Sequence, residues 1–310
     1  MAVFFDIENL PRFHNAVLTI GTFDGVHLGH EAILHEVVEH AKEVGGESVL
    51  ITFEPHPRKL LFPDQPLAII TPLDKKIELI TEAGIQHVVV APFTKEFSNL
   101  SAQDYIENFL VKLFHPHTII IGYDHHFGHD RKGNIDLLKK YASQYQYEIL
   151  EISAQLIDEA TVSSTKIRRA LTEGHVKEAS HMLGRFYSFA GTVIHGNKLG
   201  RTIGYPTANI HPDNAEQLIP GRGIYAVRVN WNSEQYKGML SIGYNPTVTD
   251  VKLLRIEVNI FDFDEDIYGQ IIEIEFVSYL RAEEKFESID VLKDQLHNDK
   301  EMALKALLAV

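Results

Sequence analysis

The chain contains no cysteine, which removes disulfides, thiolate zinc sites and cysteine nucleophiles together. Any nucleophile has to come from the substrates or from Ser, Thr, Asp, Glu or His. Long apolar runs are missing too, and Met1 to Phe13 lack a basic stretch followed by an apolar one. The sequence offers neither a membrane span nor a secretory leader, so the expected location is the cytoplasm. Positive charge is scarce: 29 Lys and Arg stand against 43 Asp and Glu, a formal net charge of −14. Neutralising a duplex needs a basic face that dominates a domain, so no nucleic-acid partner is expected. Small phosphorylated ligands need only local positive potential. Basic residues gather at Arg131 and Lys132, at Lys166, Arg168 and Arg169, and at Lys198 and Arg201. A solvated surface is the default reading of such clusters until a motif says otherwise.

What is present fits a folded chain of two domains: 310 residues exceed the length at which one core keeps growing, and the apolar share is 45%. Short β-branched runs at Val17 to Gly21, Ser48 to Thr52, His87 to Ala91, Thr118 to Ile121 and Tyr147 to Ile152 predict buried strands. Amphipathic stretches separate them, including Thr71 to Ala83 and one opened by Ser101 with Asp104 three residues on, running to Leu113. Strands alternating with helices imply a mostly parallel sheet covered on both faces. After Gly184 the texture changes. Ser188 to Ile194, Gly223 to Val229, Tyr236 to Ile242, Arg255 to Phe261 and Ile271 to Phe276 read as strands joined by Gly, Pro and Asn turns, an antiparallel β-domain of barrel type. A helix from about Ile289 to Leu308 follows. The expected domains are residues 1–183 and 184–310.

The sharpest motif is Gly21-Thr22-Phe23-Asp24-Gly25-Val26-His27-Leu28-Gly29-His30, between a strand and a helix reaching Val44. A strand, a glycine-containing turn and a helix start leave N–H groups pointing at one spot, where the helix dipole favours a phosphate. His27 and His30, on one face of the first helical turn, suit hydrogen bonds to an α-phosphate and its bridging oxygen, where charge builds during attack. A zinc pair is the rival, but zinc wants a third protein ligand and the HExxH pattern is absent. Plain helix-surface histidines are a further alternative.

The second domain opens with Gly191-Thr192-Val193-Ile194-His195-Gly196-Asn197-Lys198-Leu199-Gly200-Arg201-Thr202-Ile203-Gly204-Tyr205-Pro206-Thr207-Ala208-Asn209. Asn197 and Leu199 break the Walker pattern, and the surroundings are strands. Gly196, Gly200 and Gly204 still allow a loop to wrap phosphates, with Lys198 and Arg201 supplying charge. Thr207 and Asn209, two apart on an extended segment, present hard oxygen donors to one side, suited to a magnesium that keeps several waters and bridges phosphates. A plain turn is the alternative there.

The HxGH element after a strand resembles the nucleotidylyltransferase superfamily, and the longer Gly21–His30 stretch is similar to its bacterial FAD synthetase branch. Agreement continues at Thr52-Phe53-Glu54-Pro55-His56-Pro57, at Gly122-Tyr123-Asp124-His125-His126-Phe127-Gly128 and at Val162-Ser163-Ser164-Thr165-Lys166-Ile167-Arg168. The 191–209 stretch resembles the signature of riboflavin kinases, followed by Gly223-Ile224-Tyr225, Ser241–Thr247, Glu257 and Leu280-Arg281-Ala282-Glu283-Glu284-Lys285-Phe286. The resemblance implies an α/β nucleotidylyltransferase domain of Rossmann-like type followed by a β-barrel riboflavin kinase domain. It implies ATP as a substrate twice: riboflavin is phosphorylated to FMN, with ADP released, and FMN is adenylylated to FAD, with pyrophosphate released. In the first domain it casts His27, His30 and Arg168 as catalytic, with Gly21, Thr22, Phe23, Asp24, Gly29, Asp124, Ser163, Ser164 and Thr165 around the nucleotide. In the second it casts Glu257 as the base for the ribityl 5′-hydroxyl, Thr207 and Asn209 as magnesium ligands, and Gly196, Lys198, Gly200, Arg201, Gly204 and Arg281 as binding residues. The family commonly has Phe and Arg after Asp in the middle motif, where this chain has His125 and His126. Asn259 stands where His is frequent. A monomer or weak homo-oligomer is expected.

Overall fold

The computed structural model describes residues 1–122, 125–153, 162–196, 200, 203–244 and 254–309. It divides into two units, Met1–Ser164 and Thr165–Val310.

The first unit holds six strands: β1 (Ala2–Phe4), β2 (Val17–Ile20), β3 (Ser48–Glu54), β4 (His87–Pro92), β5 (Thr118–Gly122) and β6 (Glu148–Ile152). They form one parallel sheet in the order β1-β4-β3-β2-β5-β6. Residues of β2 to β5 are buried almost throughout, as strands covered on both faces must be. Successive side chains go to opposite faces. Leu18, Ile51, Val89 and Ile119 join an aromatic-rich cluster with Phe53, Phe109 and Phe114, while Val17, Leu50, Val88 and Ile120 pack with Leu34, Val37 and Ile80. The chain winds outward from β2 through β3 to β4, then returns to the other side of β2 for β5 and β6. Strand order thus reverses between β2 and β5, and the crevice beyond their carboxyl ends is where open α/β sheets bind ligands.

Two local features depart from the sequence reading. The edge strand β1 was too short to announce itself by periodicity. The stretch expected as one helix from Ser101 to Leu113 instead comprises Ala102–Asp104, a π-helical segment Tyr105–Val111, and Lys112–Phe114. Ser101 does cap it, Oγ accepting the Asp104 N–H at 3.0 Å. The π segment delivers Tyr105, Ile106, Phe109 and Leu110 to the core, where Phe109 meets Phe97 edge-on at 4.8 Å and Tyr105 stacks on Phe127 at 4.9 Å.

The second unit is a closed antiparallel barrel of β7 (Tyr187–Ile194), β8 (Ala208–Pro212), β9 (Gly223–Trp231), β10 (Glu234–Tyr244), β11 (Leu254–Ile260) and β12 (Ile271–Arg281), in the order β10-β11-β8-β7-β12-β9. The helices Ser164–Thr172 and Val176–Leu183 precede it. The Gly221 N–H donates to the Leu171 carbonyl at 2.8 Å, and a Cβ at Gly221 would overlap the Thr172 carbonyl oxygen. The C-terminal helix Ile289–Leu308, capped by Ser288 on the Val291 N–H, lays Ala303 and Leu307 against Ala226, Met239 and Val277 of the barrel.

Candidate active sites

In the first unit, the loop leaving β2 is held from several sides. The Gly21 N–H donates to the Ile51 carbonyl at 3.0 Å, and Thr52 Oγ1 donates to the Thr22 carbonyl at 3.2 Å. Phe23 and Val26 adopt left-handed φ values of 47° and 38° on either side of Gly25 at 93°. Such conformations are unfavourable for residues with a Cβ and cluster at functional sites. Burial holds them there: Phe23 is 2% exposed and Val26 1%. Gly21 is needed for this packing, since a Cβ there would stand 3.0 Å from the Phe23 ring.

Asp24, 1% exposed, is also turned inward. Its carboxylate accepts the N–H groups of Ile70 and Thr71 at 3.0 to 3.2 Å, and its carbonyl accepts the Ser164 hydroxyl at 2.9 Å. Phe23 and Asp24 therefore shape the loop through protein contacts. Ser164 and Asp24, far apart in sequence, are brought together by this bond.

His27 is the N-cap of the helix Leu28–Glu43, with extended backbone, and not a member of its first turn as expected. Its Nδ1 accepts the His30 N–H at 3.3 Å, leaving Nε2 as the ring's other polar atom. The two imidazoles stack, with centroids 3.6 Å apart and planes 12° from parallel, and Phe23 supports His30 at 4.9 Å. Ring nitrogen lone pairs and N–H bonds lie in the ring plane, so two parallel rings address two neighbouring points and do not converge on one ion. That geometry suits adjacent oxygens of a phosphate chain better than a zinc ligand pair. Gly29 is buried in the first turn.

Lys76 escaped the sequence reading. It is 4% exposed, on the helix Leu73–Glu82. Burial pushes its ammonium below the ordinary lysine range, while Asp24 and Glu54 pull in the other direction. A lysine at a position of apolar periodicity was the available signal. His56, one of the residues in the proline-rich turn, caps the short helix Pro57–Leu61 through Nδ1. His126 Nδ1 faces the Gly133 carbonyl at 3.3 Å, and His125 lies 5.9 Å from Phe127. Asp124, Lys198 and Arg201 lie outside the described residues. Ser163 ends the approach to the helix Ser164–Thr172, whose Thr165 and Arg168 belong to the second unit.

In the second unit, pairing of β8 with β11 sets Asn209 opposite Glu257, and β10 sets Ser241 against Glu257 from the other side. Alternation on β11 then decides the chemistry. Ile256 and Val258 are 2% and 0% exposed, whereas Arg255, Glu257 and Asn259 face the opposite way. A cavity of about 380 Å³ opens on that face. Its wall includes Gly200, Thr207, Ser241, Arg255, Glu257 and Arg281, and the C-terminal helix closes it with Leu292, Leu296 and Asp299. A second cavity, of about 440 Å³, is lined by Val193, Val258, Ile260, Phe263 and Tyr268, with Asp264, Glu265 and Asp266 at its rim. Among the described residues, Thr207 is common to both.

Two glycines of the loop before β8 are close-approach glycines. A Cβ at Gly196 would overlap the Asn209 carboxamide, and one at Gly200 would overlap the Tyr205 carbonyl and sit 3.5 Å from the Thr207 hydroxyl. Gly204 takes a left-handed φ of 86°. Gly196 and Gly200 thus lie close against Asn209 and Thr207. Arg281 lines the first cavity, but its guanidinium forms a bidentate pair with Asp299 at 2.8 and 2.7 Å, and Gln295 donates to the same carboxylate at 2.8 Å. Asp299 is fully buried, so the pair and its third hydrogen bond satisfy a charge that could not stand alone. Asn259 donates to the Pro206 carbonyl at 2.6 Å and so steadies the segment carrying Thr207.

Comparison with known proteins covers both units. Residues 10–166 match a family described as FAD synthetase, and residues 183–307 one described as riboflavin kinase. The Listeria monocytogenes bifunctional riboflavin kinase/FMN adenylyltransferase is 42% identical over 93% of this chain and 91% of its own length. The Bacillus subtilis protein of the same description is 37% identical over 94% and 92%, respectively. A solved structure titled a macrolide-efflux protein from Streptococcus pneumoniae superposes with a TM-score of 0.89 at 32% identity, covering 97% of this chain and 98% of that one. Among the described residues, no helix of this chain is long and apolar enough to cross a membrane.

Proposed function

Because the chain belongs to the family of bifunctional riboflavin kinases/FMN adenylyltransferases, we propose a division of its two reactions: adenylylation of FMN at the β2 loop of the first unit, and phosphorylation of riboflavin at the barrel. The observation that carries the second assignment is the position of Thr207, the residue shared by the two barrel cavities. Phosphoryl transfer needs donor and acceptor approaching one another in line, and two cavities that share a lining residue support that reading.

Riboflavin occupies the cavity that contains Glu257, and ATP the one bounded by Phe263 and Tyr268. Glu257 takes the proton of the ribityl 5′-hydroxyl as its oxygen bonds to the γ-phosphorus and the bond from that phosphorus to the β–γ bridging oxygen breaks. FMN and ADP are the products. Thr207 and Asn209 present the oxygen donors that magnesium takes, in a loop whose glycines are packed against them, so the residues fit that ion. Bound there, it would neutralise charge on the phosphates. Arg281, fixed by Asp299, shapes the wall.

At the first unit, an FMN phosphate oxygen attacks the α-phosphorus of ATP and pyrophosphate departs. His27 and His30, held parallel, donate to neighbouring phosphate oxygens as charge accumulates. No covalent enzyme intermediate is required at either site. The test is a time course of riboflavin, ATP and magnesium with the parent protein, Glu257→Gln and His30→Ala, resolving riboflavin, FMN and FAD by chromatography. The expected pattern is a block before FMN in the first variant and accumulation of FMN in the second. The same block in both would remove the division of labour.

A further inference from the structure

Arg255 stands two residues before Glu257 on β11, on the same face and in the same cavity wall. Its Nη1 lies 3.9 Å from Glu257 Oε2, an ion pair without a hydrogen bond at that distance. Its Nε is fully shielded and has no hydrogen-bond partner among the described residues. A shielded donor left unmatched on a fixed strand costs stability, so an arginine kept at this position calls for a role at its exposed end. The surroundings sharpen this. Across the ladder Arg255 pairs with Gly243, and a Cβ at Gly243 would overlap the Glu283 carboxylate. The guanidinium therefore works in a wall rich in carboxylates, Glu257, Glu283 and Glu284.

The reaction changes the charge of the acceptor at one atom. Riboflavin brings a neutral hydroxyl to Glu257, while the product carries an anionic phosphate on the same oxygen, among these carboxylates. A carboxylate wall alone would expel that phosphate. A guanidinium in the cavity wall within 4 Å of the base, its side chain 38% exposed, is placed to hold it. We propose that Arg255 is a phosphate-orienting residue of the kinase site: it contacts the phosphoryl group as it arrives on the acceptor and holds the monophosphate product, while contributing little to riboflavin binding.

This rests on assigning the Glu257 cavity to the flavin, and the test separates the two. In the full-length protein, the KM for riboflavin is measured in the forward reaction and the KM for FMN in reverse, from FMN and ADP with ATP trapped as it forms. Starting without ATP keeps adenylylation out of the reverse assay. Arg255→Met is expected to raise the KM for FMN about tenfold or more, the loss of one charge-assisted hydrogen bond, and to leave that for riboflavin within about twofold. Arg255→Lys is expected to recover part of the loss, since it keeps the charge but not the fork. Unaltered FMN adenylylation serves as the folding control. Equal changes in both KM values, or an unchanged KM for FMN, would overturn the role of Arg255. Parent forward turnover in Glu257→Gln would instead overturn the cavity assignment itself.

Discussion

The two units solve the same problem, holding a triphosphate against an acceptor, in opposite ways. In the parallel sheet, the proposed chemistry sits beyond the strands, on one unbroken stretch from Gly21 to His30 that folds back on itself through left-handed residues. In the barrel, the residues proposed for it line the wall, and no short stretch contains them. Thr207 comes from the segment leading into β8, Asn209 from β8 itself, Arg255 and Glu257 from β11, and the far wall from the C-terminal helix. The first arrangement depends on loop conformation and tolerates change in distant strands. The second depends on register, because a one-residue slip of β11 against β8 would send Glu257 to the apolar side and bring Ile256 in its place.

The contrast can be tested first where the units part. Ile167, Leu171, Val176, Ala179, Met182 and Leu183 are all buried, the most exposed being Met182 at 6%, and Leu171 and Thr172 meet the Gly221 turn of the barrel unit. Large apolar side chains contribute about 1.5–3 kcal/mol each when buried, against a total stability of roughly 5–15 kcal/mol. A fragment from Thr165 is expected to fold and convert riboflavin to FMN without making FAD. One from Gly184 should show no cooperative melt by circular dichroism, and equal melting of the two would assign the helices to the first unit.

Next in size is the wall base. Glu257→Gln keeps the shape but not the proton acceptor and is expected to lower kinase turnover by about 10² to 10⁴, with FMN adenylylation unchanged. His30→Ala, by comparison with loss of a single oxyanion donor, should slow FAD formation from FMN about a hundredfold and leave riboflavin phosphorylation at the parent rate. Direct assays of each half reaction check both. If either substitution slowed both reactions alike, the sites would not be separate.

The smallest effect concerns Lys76, the buried cation beneath the loop. Its folded pKa is lowered from 10.5 by burial, so between that lowered value and the unfolded value the unfolded chain binds more protons. Stability contributed by this group therefore rises as pH increases through the window and is least below it. Urea unfolding across the alkaline range is expected to show this upward slope in the parent and its loss in Lys76→Met. An identical slope in both proteins would mean that other groups set it.

The legibility of the sequence follows the same division. Strands of the sheet and the C-terminal helix could be read from periodicity, and the Gly21–His30 motif from its contiguity. The stacked histidines could not, since a residue at the N-cap and one in the first turn are indistinguishable from two helical neighbours by spacing alone. In the barrel, Thr207 and Asn209 offered oxygen donors at a spacing that a plain turn explained equally well, and the role of Glu257 was legible only through family resemblance, because pairing between β8 and β11 is a long-range fact. Arg255 carried a faint signal, one alternation step from Glu257, but a charged residue at such a position ordinarily faces water. Asp299 looked like one more acid on an amphipathic helix until its partner Arg281 was in place.

The bond from Asp24 to the 70–71 segment bears on how the first unit meets its nucleotide. A loop that carries two left-handed residues and is clamped by a buried carboxylate has already lost its conformational freedom when the chain folds. On the proposed assignment, ATP arriving at His27 and His30 meets a template, and the entropy of association falls on the ligand and not on the protein. Such a template is indifferent to which nucleotide teaches it a shape. Selectivity at this loop must come from groups that touch the base and the flavin, and the loop itself acts as a rigid ruler for phosphates.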